Sequence, residues 1–224
     1  NRVRLRVDVD SFTGESQNIV AEISGRRPEL PVVLLGAHHD TQCNNAGADD
    51  NASGVVALLE LASRLRPSLR TIRFVSFGTE EQLSVGAAVY ARRHRPGVVL
   101  NIDSVASALG HHMVWHSSRQ FGGWLVKRLA VAGLEVREDA APMPFADHFP
   151  FAAFGVPAVT FYRGNMSSGM RWQHHSAFDD LTNVSEPELE RVVNAVAAVA
   201  GELAGAARWP FTKCRPSAET LKMW

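Results

Sequence analysis

Cysteine is scarce. Cys43 and Cys214 are the only two in 224 residues, which is no disulfide framework. Cys43 reads as a loop thiol with no catalytic role. A charge excess of either sign is also missing. Lys plus Arg and Asp plus Glu balance at 23 each, so no electrostatic argument favours a nucleic-acid or membrane partner. No apolar run approaches the roughly 20 residues of a membrane helix. Internal repeats, low-complexity tracts and linkers are absent too, so residues 1–224 read as a single domain. The chain opens on Asn1 rather than Met. It is therefore expected to be trimmed at its N-terminus, with any signal region out of view and the compartment open. What remains is 46% hydrophobic and 21% charged, an ordinary globular composition with enough chain for a sizeable core.

Residues 2–9 alternate charged and apolar and predict a half-exposed edge strand. Residues 18–23 predict a second strand. The run Val32-Val33-Leu34-Leu35 predicts a strand buried on both faces. From Ser53, the positions Val56, Leu59, Leu61 and Leu65 share a helical face that Pro67 ends. Strands follow at 71–77 and 98–102, with a helix at 87–94 between them. Short strands at 113–115 and 135–137 flank a helix at 121–131. A helical turn over 147–154 leads to a strand at 158–162. Residues 164–169 form a Gly/Ser/Asn loop. Ser185 with Glu188 predicts a capping box on a helix that runs to about Ala206. Residues 209–224 show no period. Alternating strands and helices imply right-handed crossovers and a mainly parallel sheet.

Three successive strands end in metal-competent residues: His38, then Glu80-Glu81, then Asp103. Asp49 lies in the loop that opens the first helix, and His175 comes later. Two imidazoles and four carboxylates at one sheet edge would repel each other and raise their pKa values without cations. The crevice beyond the strand ends is where open α/β sheets do chemistry. One catalytic zinc takes about three protein ligands. The count fits two metals sharing a carboxylate, with one group left as a base.

His38-His39-Asp40, Gly47-Ala48-Asp49-Asp50-Asn51-Ala52-Ser53-Gly54, Glu80-Glu81, Asn101-Ile102-Asp103 and His175-Ser176 occur in order. Together they resemble the signature of the bacterial di-zinc aminopeptidases of peptidase clan MH, the leucyl aminopeptidase and Streptomyces aminopeptidase type. The segment Ala146-Asp147-His148 with Phe151, and Gly155-Val156-Pro157-Ala158, are similar as well. The resemblance implies an α/β fold, a three-layer sandwich with a mixed, mainly parallel central sheet flanked by helices. It implies one catalytic domain binding two zinc ions and hydrolysing the N-terminal peptide bond of a peptide or small amide. It gives His38 and Asp103 to one zinc, Glu81 and His175 to the other, and Asp49 to both. Glu80 becomes the general base and Asp40 a carboxylate steadying the metal-bound histidine. Three features depart from the family. His174 stands where a Tyr usually donates to the oxyanion, Leu83 stands where a Gly is usual, and little chain precedes Asn18 for an N-terminal helix.

His39 and His148 read as residues that line or support the site, and Asp50 as a helix-terminal carboxylate. His111, His112 and His116 read as solvated or core residues, and His94 as part of a solvated basic helix end. Trp115, Trp172, Phe161 and Tyr162 serve a substrate pocket or the core. Four other functions compete. The segment 147–151 is similar to the one-zinc glutaminyl cyclases; a deacylase or carboxypeptidase of the same clan, and a non-catalytic binding domain of the same fold, complete the set.

Overall fold

A computed structural model describes residues 3–8, 13–140, 143–164, 173–213, 216 and 218–223. In chain order its strands are β1 (Ile19–Ile23), β2 (Val33–His38), β3 (Ile72–Phe77), β4 (Val98–Ile102), β5 (His111–His116), β6 (Arg137–Asp139) and β7 (Ala158–Gly164). Its helices are α1 (Gly54–Arg64), α2 (Val85–Arg93), α3 (Arg119–Val131), α4 (His148–Ala153), α5 (Glu186–Gly205) and α6 (Ala218–Met223). The strands form one seven-stranded sheet in the order β1-β3-β2-β4-β7-β5-β6. The four central strands, β3, β2, β4 and β7, run parallel; β1 and β5 join antiparallel on either side, and β6 pairs parallel with β5.

Period-two alternation decides which layer each strand residue meets. Val33, Leu35 and Ala37 of β2, and Val98, Leu100 and Ile102 of β4, pack under α1, α3 and α5. Leu34 and Val99 point the other way, toward Ala87, Tyr90 and Phe151 of α2 and α4. Both faces of the sheet are thus covered, which explains continuous apolar runs where a half-exposed sheet would alternate. Leu100 is fully buried. Leu100→Ala should therefore cost about 2–5 kcal/mol of folding stability, read by urea denaturation.

Residues 3–8 do not form the expected edge strand. They pair with nothing in the sheet, and Val3, Leu5 and Val7 are exposed; Arg2 and Val9 lie outside the described residues. Alternation alone sets a strand's faces but supplies no neighbour to complete its ladder. The edge is β1 instead. The capping box is absent too: Ser185 makes no side-chain cap, and Glu188 bonds His112 Nε2 at 2.7 Å. A neighbouring imidazole displaces the local partner. Beyond α5, Trp209 and Phe211 pack onto the core and α6 closes the tail. The loop expected over 164–169 falls, after Gly164, outside the described residues, as do Trp172 and Cys214.

Candidate metal centre

The parallel strands deliver their C-terminal ends to one edge. His38, the last residue of β2, pairs in register with Phe77, the last of β3, and Ile102 of β4 pairs with Phe161 of β7. Glu80, Glu81 and Asp103 therefore emerge beside His38. Helix α1 starts close against this edge: a Cβ at Gly54 would collide with the Asn51 side chain and the Ile102 carbonyl oxygen. Only glycine fits that approach.

His38 is fully buried. Its Nδ1 faces the Asp40 carbonyl oxygen at 3.0 Å, which makes Nδ1 the donor and frees the Nε2 lone pair. Nε2 is buried without a hydrogen bond of good geometry. Its nearest oxygens are Asp50 Oδ1 at 3.3 Å, Asp103 Oδ1 at 3.7 Å and Glu80 Oε2 at 3.9 Å. The Asp40 carboxylate accepts the backbone N–H groups of Glu80 at 3.0 Å and Glu81 at 3.1 Å. It thus fixes the glutamate pair as well as lying 3.6 Å from His38 Nδ1.

The structure turns Asp50, rather than the expected Asp49, toward the cluster. Asp49 Oδ1 accepts the Ala106 N–H at 2.8 Å and the Ser53 hydroxyl at 3.3 Å, inside the fold. Asp50 faces the cluster instead. Its Oδ2 lies 2.9 Å from His174 Nδ1 and 3.4 Å from His175 Nε2, while its Oδ1 is the carboxylate oxygen nearest His38 Nε2. Asp50 is not a helix-terminal carboxylate. The turn at Ala48–Ser53 leaves helical geometry at Asp50 and Asn51, and the peptide bond between them is cis. Spacing cannot choose between adjacent aspartates in such a turn.

Two residues missed in the sequence hold this turn. Asn51 accepts the N–H groups of Gly54 and Ser104 and donates to the Ile102 carbonyl, tying the turn to the end of β4. The fully buried Asp179 accepts the Asp49 N–H at 2.7 Å and the Asp50 N–H at 3.0 Å. Asp179→Ala strands both donors. It should weaken zinc binding by roughly 10–100-fold, as outer partners of metal ligands do, measured by competition with a chromophoric chelator.

Glu81 Oε2 lies 3.1 Å from His175 Nε2 and accepts Gln42 Nε2 at 2.8 Å, while its Oε1 is buried without a partner. His175 sits in the left-handed region at φ 55°, stacked on His174 with ring centroids 3.6 Å apart. Asp103 Oδ1 accepts the Ser104 hydroxyl at 2.7 Å. Ligand atoms of His38, Asp50 and Asp103 lie within 4.8 Å of one another, as do those of Asp50, His174 and His175. The structure thus brings together every expected site residue except Asp49.

Electrostatics fit this donor set to cations. Burial raises the Glu80 carboxyl to about 10, against the His38 charge and with Asp147, Asp103 and Asp50 adding to it. Burial likewise raises Asp147 to about 8. Burial would lower His38, but the facing carboxylates of Asp103, Asp40 and Asp50 outweigh it and lift it well above its ordinary value. His38 Nε2 and Glu81 Oε1, buried without hydrogen-bond partners among crowded carboxylates, suit a borderline ion with nitrogen and oxygen ligands, such as zinc, which would displace the His38 proton. In the metal-free chain, the raised folded-state values mean that Glu80 and Asp147 hold protons the unfolded chain has released. Stability should then fall as pH rises from about 4 toward those folded values. Urea melts of chelated protein at pH 5.5 and pH 8 check this.

The other histidines stand apart from the cluster. His39 is exposed and pairs with Ser76 Oγ at 3.0 Å. His148 is buried, bonded through Nδ1 to Thr160 Oγ1, and kept neutral by burial at about 3. His116 is buried, His111 is exposed, and His94 stacks on Tyr90. Cys43 is an exposed thiol. Phe161 is core, and Tyr162 stacks on Trp115 along the sheet. Among the described residues, the apolar groups lining the cavity of the candidate site are Leu83 and Phe145. Both sit on loops that no periodicity marks.

Known proteins similar to this chain include aminopeptidases. The Bacillus subtilis (strain 168) protein aminopeptidase YwaD is 26% identical over 95% of this chain and 48% of its own length. The solved structure of BSAP, a zinc aminopeptidase from Bacillus subtilis, superposes with a TM-score of 0.76 at 23% identity, covering 88% of this chain and 52% of that one. A Porphyromonas gingivalis glutaminyl cyclase shares the fold at a TM-score of 0.72 and 22% identity, over 83% and 76% of the chains. The chain spans about half the length of the curated aminopeptidase it matches. The model of peptidase family M28 matches residues 18–200, and the chain belongs to that family.

Proposed function

We propose that the chain is a zinc-dependent aminopeptidase with a bridged two-metal site. The observation that carries this reading is the Asp50 carboxylate, one oxygen 3.3 Å from His38 and the other 3.4 Å from His175. His38 and Asp103 would hold one ion, Glu81 and His175 the other, and Asp50 both. When bound, zinc supplies Lewis acidity and a lowered pKa for water. Glu80 lies against the cluster but is surplus to its ligands, so it serves as the base. Its carboxylate takes a proton from the attacking water and returns it to the leaving amine. Asp40 holds the Glu80 and Glu81 backbone in place for both tasks. His174, on the cavity wall, would donate to the developing oxyanion where the resemblance leads one to expect Tyr. A substrate α-ammonium finds anionic partners in the same cavity, which restricts cleavage to the first peptide bond. The substrate is thus a peptide or small amide with a free N-terminus.

The test offers zinc-loaded protein one peptide with a free N-terminus and the same peptide acetylated. Release of the first amino acid from the free peptide alone, lost on chelation, is expected. Equal cleavage of both would contradict the exopeptidase reading. The cyclase alternative draws on the segment Asp147-His148-Phe149-Pro150-Phe151 and the buried Asp147 carboxyl. A peptide starting with Gln separates the two: an aminopeptidase frees glutamine, whereas a cyclase frees ammonia and leaves a pyroglutamyl peptide.

A further inference from the structure

Val159 and Phe161 of β7 and Val114 of β5 join the core on the face of the sheet that α5 covers. Period two places Arg163 and His112 next in line on that face, and the two are register partners across the antiparallel pair. A guanidinium, only 7% exposed, thus stands where an apolar side chain would extend the core. Its Nε donates to the Ser107 carbonyl oxygen at 2.6 Å. Its Nη1 lies 3.2 Å from His112 Nε2 and 3.3 Å from Glu188 Oε2. Its Nη2 makes no hydrogen bond among the described residues.

Arg163 borders a cavity of about 350 Å³ that shares no lining residue with the metal cavity. Arg137, at the start of β6, and Arg191 of α5 stand in the same wall, with Glu135 and Glu188 as the carboxylates. Three guanidinium groups therefore face two carboxylates. Glu188 is divided among His112 at 2.7 Å, Arg163 at 3.3 Å and Arg191 at 3.8 Å, and Arg137 has no ion pair among the described residues. A clamp on the Ser107 loop accounts for the Arg163 Nε. It leaves unexplained the void beside a buried guanidinium, since a purely structural charge is closed over by its partners. Burial holds the Arg163 pKa below its ordinary value despite Glu188 and Asp49, so its charge is short of compensation.

We propose that this cavity is a binding site for a small oxyanion, the phosphate or carboxylate group of a ligand, held by Arg163 with Arg137 and Arg191. The planar guanidinium fork matches such a group two N–H donors at a time. The volume lies within the range of ligand pockets, about 300–1,000 Å³. Glu188 opposes the guest, so charge at the wall sets its affinity in both directions. The site stands independently of the aminopeptidase reading.

The test is isothermal titration calorimetry of zinc-loaded protein with sodium phosphate, and separately with sodium citrate, at constant ionic strength. Wild type is compared with Arg137→Gln/Arg191→Gln and with Glu188→Gln. All three side chains reach solvent, so these changes leave the packed core intact, whereas Arg163→Gln would disturb it. The double variant should bind at least about tenfold more weakly, through lost charge-assisted hydrogen bonds. Glu188→Gln should bind about fivefold more tightly, as one opposing charge is removed. Opposite responses to the loss of positive and of negative charge are what a merely structural role would not produce. A Glu188→Gln protein that binds no tighter, a double variant that binds no weaker, or a wild type without saturable binding would each overturn the site. The second of these would place the anion on the zinc ions instead. The tighter titrant identifies the ligand group as phosphate or carboxylate.

Discussion

Glu80→Gln should lower kcat by about 10²–10⁴-fold, the usual contribution of a positioned general base, while zinc per chain stays at the wild-type level. The amide keeps the volume of the carboxylate and its backbone tie to Asp40, but it cannot take a proton. Glu80 faces His38 at 3.9 Å, farther than Asp50, and the ligand count is complete without it. The base and ligand roles therefore separate experimentally. A fall in kcat with constant metal content marks a base. A parallel fall in both would make Glu80 a ligand and leave the reaction without the proton carrier assigned to it.

Asp50→Asn should remove the charge that the proposed two-metal site gives to both ions. Zinc binding should weaken beyond the roughly 10–100-fold typical of outer partners, and peptide hydrolysis should drop with it. Asp49→Asn is the internal control. Its remaining carbonyl oxygen can still accept the Ala106 N–H, so zinc content should hold. Elemental analysis of the two variants after dialysis decides between the neighbours. Metal loss in Asp49→Asn and retention in Asp50→Asn would reverse the assignment.

Much of this was legible in the chain because it depends on strong local signals. Val33 to Leu35 is too apolar for anything but a strand covered on both faces, and it ends at His38 whichever residue is counted as the strand's last. Glu80-Glu81 and Asp103 gained meaning from following similar strands, since parallel neighbours end together. The choice between Asp49 and Asp50 was not legible. It depends on a backbone departure from helical geometry that two adjacent carboxylates cannot advertise. Asp179 acts from the far end of the chain through backbone N–H groups, and nothing in its neighbourhood of sequence marks it. Leu83 and Phe145 meet at the cavity only because two loops converge there. Residues 3–8 mislead in the opposite sense: perfect alternation, but no partner strand among the described residues.

The most direct test of the account is the number of zinc ions held per chain, by elemental analysis of protein loaded with zinc and desalted. Two per chain is the result the Asp50-bridged site predicts. One per chain would contradict the bridge and shift the balance toward the one-metal cyclase, and none would remove the catalytic reading altogether.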